Sequence, residues 1–234
     1  MAQYNMYKLS AKQWNPFVGC KFSCVYCKPS FQAQLKRWAK GKCENCYNYV
    51  PHAHPERLDA PLPRTGHMQF IFTLADSDPA FCPTDYLSVI AGRMKRESGK
   101  MFLLQSKDPS TFARVEWPVN CILGTTVETN RSELYKNERI SSAPLPAKRV
   151  EDLAKLDHPL KMLTMEPIMD FDTEHMVAYA EAVRPCMVWL GYDSKKCGLP
   201  EPSLEKFKEL YWELGKRGFV VILKIVRGFC NDEK

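Results

Sequence analysis

Gln69-Phe70-Ile71-Phe72-Thr73-Leu74-Ala75-Asp76-Ser77-Asp78 sets a short apolar run directly against a knot of acidic and hydroxyl groups. A run this short, rich in Phe and Ile and without strict alternation, reads as a strand buried on both faces. Leu87, Ile90 and Met94 follow at i, i+3, i+7, the spacing of one helix face. The stretch therefore reads as strand, polar strand end, helix.

The same unit recurs along the chain after it. Apolar runs lie at Met101–Gln105, Cys121–Val127, Lys161–Met165, Met187–Leu190 and Phe219–Ile225. Helical stripes lie between them: Val150, Leu153 and Leu156; Met176, Ala180 and Val183 behind Asp172 as N-cap; and Leu204, Phe207, Leu210, Tyr211 and Leu214, ended by Gly215 or Gly218. Phe31, Leu35 and Trp38 make an earlier stripe. Alternating strands and helices imply parallel strands with right-handed crossovers. The expected fold is a partial or full (βα) barrel of about six parallel strands, with one more strand near the N-terminus. An open doubly wound sheet competes, but no Gly-x-Gly-x-x-Gly or Walker A sequence supports its nucleotide-binding versions. Residues 1–234 read as a single domain with a Cys/His/Pro-rich excursion at about 41–66.

Parallel α/β folds collect reactive groups beyond the C-terminal ends of their strands. Nearly every such end here carries one. Asp76, Ser77 and Asp78 end the first quoted run, and Gln105, Ser106 and Lys107 the next. Thr125, Thr126, Glu128 and Asn130 follow, then Glu166, then Tyr192 and Asp193, then Lys224 and Arg227. Glu166 and Lys224 stand out because each ionisable group is set among apolar neighbours, where burial shifts pKa values and makes proton transfer feasible. Glu166, Asp193 and Lys224 are the catalytic candidates. A buried structural ion pair is the alternative for Glu166 and Lys224.

The chain has 234 residues, 45% hydrophobic and 26% charged, which excludes disorder, collagen and coiled coil as its main state. No apolar run approaches the roughly 20 residues of a membrane span. The opening Met-Ala-Gln-Tyr-Asn lacks a basic segment followed by an apolar stretch, so a cytoplasmic location is expected. The net charge of +6 permits a nucleotide or nucleic-acid partner without demanding one.

Ten cysteines are the outlying number. Five crowd into positions 20–46, the clustering a metal site needs. Cys121 and Cys186 open apolar runs and read as buried small hydrophobes. Gly19-Cys20-Lys21-Phe22-Ser23-Cys24-Val25-Tyr26-Cys27 is a C-x3-C-x2-C motif. Three thiolates on one short loop can hold three irons of a [4Fe–4S] cluster and leave the fourth open, or can join a fourth donor in a zinc site. Cys43-Glu44-Asn45-Cys46 is a second half-site, which His52 and His54 could complete as tetrahedral zinc. A second cluster would need a distant thiol such as Cys82, and the pair binding nothing is the third reading.

The C-x3-C-x2-C loop, with an aromatic Tyr26 before its last cysteine, resembles the signature of radical S-adenosylmethionine (SAM) enzymes. Trp14-Asn15-Pro16-Phe17-Val18-Gly19-Cys20 is similar to the opening of the phage-type three-Cys-motif family. His54-Pro55-Glu56-Arg57-Leu58, Leu123–Glu128 and Met165-Glu166-Pro167 extend that likeness over residues 14–193. The family pattern often has glycine before the middle cysteine, where this chain has Ser23, and Tyr-Ala after the last, where it has Lys28-Pro29.

The resemblance implies a partial barrel with this loop after its first strand. It implies a [4Fe–4S] cluster on Cys20, Cys24 and Cys27, with SAM on the open iron. Cleavage of SAM would give a 5′-deoxyadenosyl radical, driven by a flavodoxin- or ferredoxin-type electron donor. By the same likeness Tyr26, Asp76, Ser77, Thr126, Glu128 and Asn130 would meet SAM.

Two other functions compete. A zinc-stabilised nucleic-acid-binding module would use the basic excess and the aromatics Trp14, Trp38 and Tyr47, yet the acidic strand ends suit an enzyme better. A barrel hydrolase would pair Glu166 with Asp193 as acid and base, and leaves the cysteine loop without a role.

Overall fold

The computed structural model describes residues 9–66, 69–224 and 226; Arg227 and Cys230 lie outside them. The strands are β1 (Ser10–Trp14), β2 (Phe17–Val18), β3 (His52–Ala53), β4 (Phe70–Thr73), β5 (Met101–Gln105), β6 (Cys121–Thr126), β7 (Lys161–Met165), β8 (Met187–Leu190) and β9 (Val221–Leu223). The α-helices are α1 (Ala33–Ala39), α2 (Glu44–Tyr47), α3 (Thr84–Arg96), α4 (Ser132–Asn137), α5 (Pro146–Lys155), α6 (Thr173–Val183) and α7 (Leu204–Lys216).

Seven strands form one parallel sheet in the order β1-β4-β5-β6-β7-β8-β9. Every later strand adds to the same edge. A doubly wound sheet would reverse at a switch point, so the order is that of a barrel opened along one side, a curled half-barrel. β2 and β3 pair separately as a small antiparallel ribbon.

The two faces of each strand diverge by the period-2 rule. Ile71, Phe102, Leu104, Cys121, Leu123, Leu163, Met165, Val188 and Leu190 pack outward against Leu87, Ile90, Met94, Val150, Leu153, Met176, Ala180, Phe207 and Leu210 of the helices. Phe70, Phe72, Leu103, Ile122, Met162 and Trp189 fill the concave side. Gln105, Thr126, Thr164 and Glu166 continue those inward rows towards the C-terminal strand ends. The Gln105 amide donates to Thr164 Oγ1 at 2.6 Å. The inward rows thus run from apolar at the base to polar at the mouth.

Several sequence expectations need correction. Of the last apolar run, whose Ile225 lies outside the described residues, Val221–Leu223 forms a three-residue strand. Cys186 is exposed, because it precedes β8 rather than lying within it. Trp14 is buried, not a surface aromatic; its indole N–H donates to the Arg57 carbonyl. Trp38 is exposed and Leu35 only half-buried, so the first helical stripe packs weakly. Asp172 holds the N-cap position of α6 without capping it, since Arg131 and the Asn130 amide take its carboxylate. Gly218, at φ +82°, follows α7 as its left-handed stop, whereas Gly215 lies inside the helix.

Candidate functional site

The loop bearing Cys20, Cys24 and Cys27 leaves the sheet after β1 and the β2 ribbon. Its start is anchored to the strand end of β4: the Gly19 N–H donates to the Asp76 carbonyl at 3.0 Å. Asn15 locks the same corner, accepting from the Ala75 N–H and donating to Asp76 Oδ2. Gly19 is required twice over, by φ +100° and because a Cβ there would lie 2.4 Å from the Val50 backbone. Ser23, immediately before the middle cysteine, sits at φ +53°. That is a left-handed conformation, which glycine adopts without strain and other residues rarely do. Beyond Cys27 the chain enters a short π-turn, Lys28–Gln32, and then α1.

All three thiols line one cavity of about 910 Å³ at the mouth of the half-barrel. Cys24 is the most buried, and its sulfur lies 3.2 Å from Ser141 Oγ. A hydrogen bond from Cys27 and the nearby Lys107 ammonium pull the Cys24 thiol down to about 5. Burial and the Asp78 carboxylate push the Cys20 thiol up. Cys27 is pushed up by its bond to Cys24 and by burial. Three neighbouring thiolates are thus unfavourable together unless cationic metal offsets their charge.

Tyr26 connects this loop to the far wall. Its hydroxyl donates to Glu128 Oε1 at 2.5 Å, and Lys107 reaches both Tyr26 and Glu128. Arg149, fully buried, donates to Glu128 Oε2 at 2.9 Å and to Tyr135. Burial alone would raise the Glu128 carboxyl; Arg149 and Lys107 hold it down. Burial would likewise lower Lys107, and Cys24 and Glu128 hold it up. Asp78 accepts from Ser106 Oγ, the Lys107 N–H and the Ala80 N–H, fixing the β4 and β5 ends together.

Glu166 and Lys224 meet across the mouth at 2.8 Å. Burial raises the Glu166 carboxyl, and Lys224 opposes that rise. Asp193 lines the same cavity, but its oxygens accept the N–H groups of Lys195 and Cys197, so it shapes its own loop. Ser77 and Thr126 line the cavity. Asp76 stands behind the wall with Asn15, and Glu128 lies fully buried beneath Tyr26. Asn130 faces Asp172, accepting its N–H and donating to its carboxylate. The exposed charged groups lining the cavity, Lys12, Arg37 and Lys195, are basic; its acidic ones, Asp78, Glu166 and Asp193, are buried or nearly so.

Arg149 and Tyr135 gave no functional signal in the sequence. Arg149 follows Lys148 on α5, and only the fold turns its side chain inward. Asp78 and Lys107 were visible only as strand-end polar groups. Cys43, Cys46, His52 and His54 do come together, with their ligand atoms all within 4.8 Å of one another. Cys82 packs instead in the main core and is no partner for them.

The loop cysteines fit a three-thiolate iron–sulfur cluster. The donors are soft and share one loop, and all three line one open cavity. Among the described residues they do not join a compact four-donor group of the kind Cys43, Cys46, His52 and His54 make, which a closed tetrahedral ion would require.

No protein-family model matches the chain, and no curated protein matches it by sequence. Solved structures do match by fold. A radical SAM methyltransferase from Sphaerobacter thermophilus superposes with a TM-score of 0.52 at 13% identity, over 92% of this chain and 66% of its own. SuiB of Streptococcus suis, solved with S-adenosylmethionine bound, superposes with a TM-score of 0.52 at 10% identity, over 93% of this chain and 51% of its own. The chain therefore spans between half and two thirds of the length of these proteins, and at such identities the likeness is one of fold.

Proposed function

We propose that the chain is a radical SAM enzyme. The observation that carries this reading is the placement of Cys20, Cys24 and Cys27, on one loop after the first strand, at the mouth of a half-barrel whose polar strand ends line the same cavity. The fold likeness to a radical SAM methyltransferase and to a SAM-bound protein supports it.

In this reading Cys20, Cys24 and Cys27 hold a [4Fe–4S] cluster, and Tyr26, Ser77 and Thr126 line the SAM-binding side of the cavity. When bound and reduced, the cluster supplies the electron that cleaves SAM to methionine and a 5′-deoxyadenosyl radical, which takes hydrogen from substrate. The protein's share is position and shielding. Asn15 and Asp76 fix the start of the cysteine loop. The Tyr26–Glu128–Lys107 contacts fix its end. The apolar floor of Phe72, Leu103 and Met162 keeps water from the base of the barrel. Glu166, paired with Lys224 at the rim, is placed to hold or pass a proton on the substrate side. Asp193 orders the loop above it.

The electron donor is of flavodoxin or ferredoxin type, in a cytoplasmic setting. The phage-type resemblance and a nucleotide or nucleic-acid substrate complete the proposal. Supporting the substrate class, Lys12, Arg37 and Lys195 are the exposed charges around the cavity, suited to phosphate. No described helix is long and apolar enough to cross a membrane. Anaerobic reconstitution tests the enzyme: brown protein with about four irons per chain is expected. One zinc and no iron would favour the zinc-stabilised binding module. The hydrolase reading has no support from Asp193, whose oxygens are engaged by backbone.

A further inference from the structure

We propose that Cys43, Cys46, His52 and His54 hold a structural zinc ion that clamps both flanks of the three-cysteine loop. The four residues are spaced Cys-x2-Cys-x5-His-x-His, and their ligand atoms lie within 4.8 Å of one another. His52 Nε2 is 3.4 Å from both Cys43 Sγ and Cys46 Sγ, and His54 Nε2 is 3.2 Å from Cys46 Sγ. A tetrahedron with Zn–S of about 2.3 Å and Zn–N of about 2.0 Å has sulfur–nitrogen edges of roughly 3.5 Å.

The outer contacts match the same geometry. His52 Nδ1 lies 2.7 Å from the Val50 carbonyl, so it carries the proton and leaves Nε2 as a lone-pair donor. His54 Nδ1 lies 2.8 Å from Glu56 Oε1, the carboxylate–histidine arrangement that orients a metal ligand. The Cys46 N–H points to Cys43 Sγ, favouring a thiolate there. Four protein ligands, with Cys46 and His54 buried, make a closed site without a position for substrate. Two imidazoles and two thiolates suit zinc rather than a second iron–sulfur cluster, and among the described residues no further thiol joins the group.

The location gives the ion its role. β3 carries His52 and pairs with β2, placing His52 opposite Val18 and Ala53 opposite Phe17. The His54 N–H donates to the Pro16 carbonyl at 2.7 Å. Val50 packs against Gly19 too closely for any side chain. These contacts hold the residues just before Cys20. On the other flank, the Cys43 and Lys42 N–H groups both bond the Ala39 carbonyl at the end of α1, the helix that follows Cys27. One ion thus ties the approach to the loop to the helix that leaves it. The short elements here, two-residue strands and a four-residue helix, have little packing of their own and need such a cross-link.

The site stands whether or not the three-cysteine loop binds a cluster, and its test keeps the two apart. Metal content is measured on the full chain purified without chelator, for the wild type, Cys20→Ser/Cys24→Ser/Cys27→Ser, and Cys43→Ser/Cys46→Ser. The expected result is about one zinc per chain in the first two and loss of it in the third. His52→Cys, which keeps four donors, should retain zinc and so guards against loss by misfolding. Glu56→Ala should weaken zinc about 10-fold in a chelator competition. Cobalt in place of zinc should give the visible absorption of a tetrahedral thiolate site. A three-cysteine variant without zinc, or a Cys43→Ser/Cys46→Ser protein holding as much as wild type, overturns the proposal.

Discussion

The Tyr26 hydroxyl, on the cysteine loop, lies 2.5 Å from Glu128 Oε1, which belongs to the end of a strand 102 residues further along the chain. Glu128 is completely buried, and its other oxygen is held by the equally buried Arg149. The loop is therefore fastened to the barrel through a buried charge. Removing one partner of such a cluster leaves another uncompensated, at about 3–5 kcal/mol. Glu128→Gln should lower unfolding stability by about 3 kcal/mol in urea titration, and Arg149→Met by a similar amount. Tyr26→Phe should cost only about 1 kcal/mol, the value of one hydrogen bond. Equal, small effects for all three would contradict the network.

Glu166 and Lys224 offer a separable test. Their ion pair is nearly buried, so the single changes Glu166→Gln and Lys224→Met should each destabilise. The double variant should recover part of the loss, with a coupling energy of about 1–3 kcal/mol in the thermodynamic cycle. Additive losses would show that the pair does not interact in solution.

Asp76 gives a pH signature. Burial raises its carboxyl from 3.8 to about 6, so the folded state binds that proton more tightly than the unfolded chain. Its contribution is fully present below the unfolded pKa and is lost as pH rises through about 6. The stability gap between wild type and Asp76→Asn should shift against the wild type between pH 4 and pH 6.5, by roughly 2 kcal/mol at about 1.4 kcal/mol per pKa unit. A gap that is flat over that range would place the carboxyl in water.

Ser23 occupies left-handed backbone at φ +53°. A non-glycine residue there costs roughly 1–2 kcal/mol, against which glycine costs about 0.5–1 kcal/mol in chain entropy. Ser23→Gly should thus be neutral to slightly stabilising in thermal melts, whereas Ser23→Val should destabilise clearly. Strong destabilisation by Ser23→Gly would mean that its hydrogen bond to the Lys21 carbonyl matters more than its conformation.

The half-barrel was legible because its code is local. β5, β7 and β8 begin and end where the apolar runs do, and the strand-end groups Ser77, Thr126 and Glu166 do converge. What escaped depends on contacts between distant segments. β2 and β3 are two residues each, too short to show periodicity. Arg149 lies on a helix whose neighbours are charged, and no pattern says that it turns inward. Trp14 was misread because an aromatic residue type does not reveal its burial; Asp172 does hold the N-cap position, but nothing in the sequence says that Arg131 and Asn130 take its carboxylate. Asp193 sits where the strand-end rule put it, and nothing in the sequence says that its oxygens accept the N–H groups of Lys195 and Cys197.

The central claim is that Cys20, Cys24 and Cys27 support reductive cleavage of SAM. The direct measurement is chromatographic detection of 5′-deoxyadenosine after anaerobic reconstitution with iron, sulfide, SAM and dithionite, alongside Cys24→Ala. The account predicts 5′-deoxyadenosine from the wild type and none above background from the variant. A brown, iron-loaded wild type that yields no 5′-deoxyadenosine, or equal yields from both proteins, would contradict it.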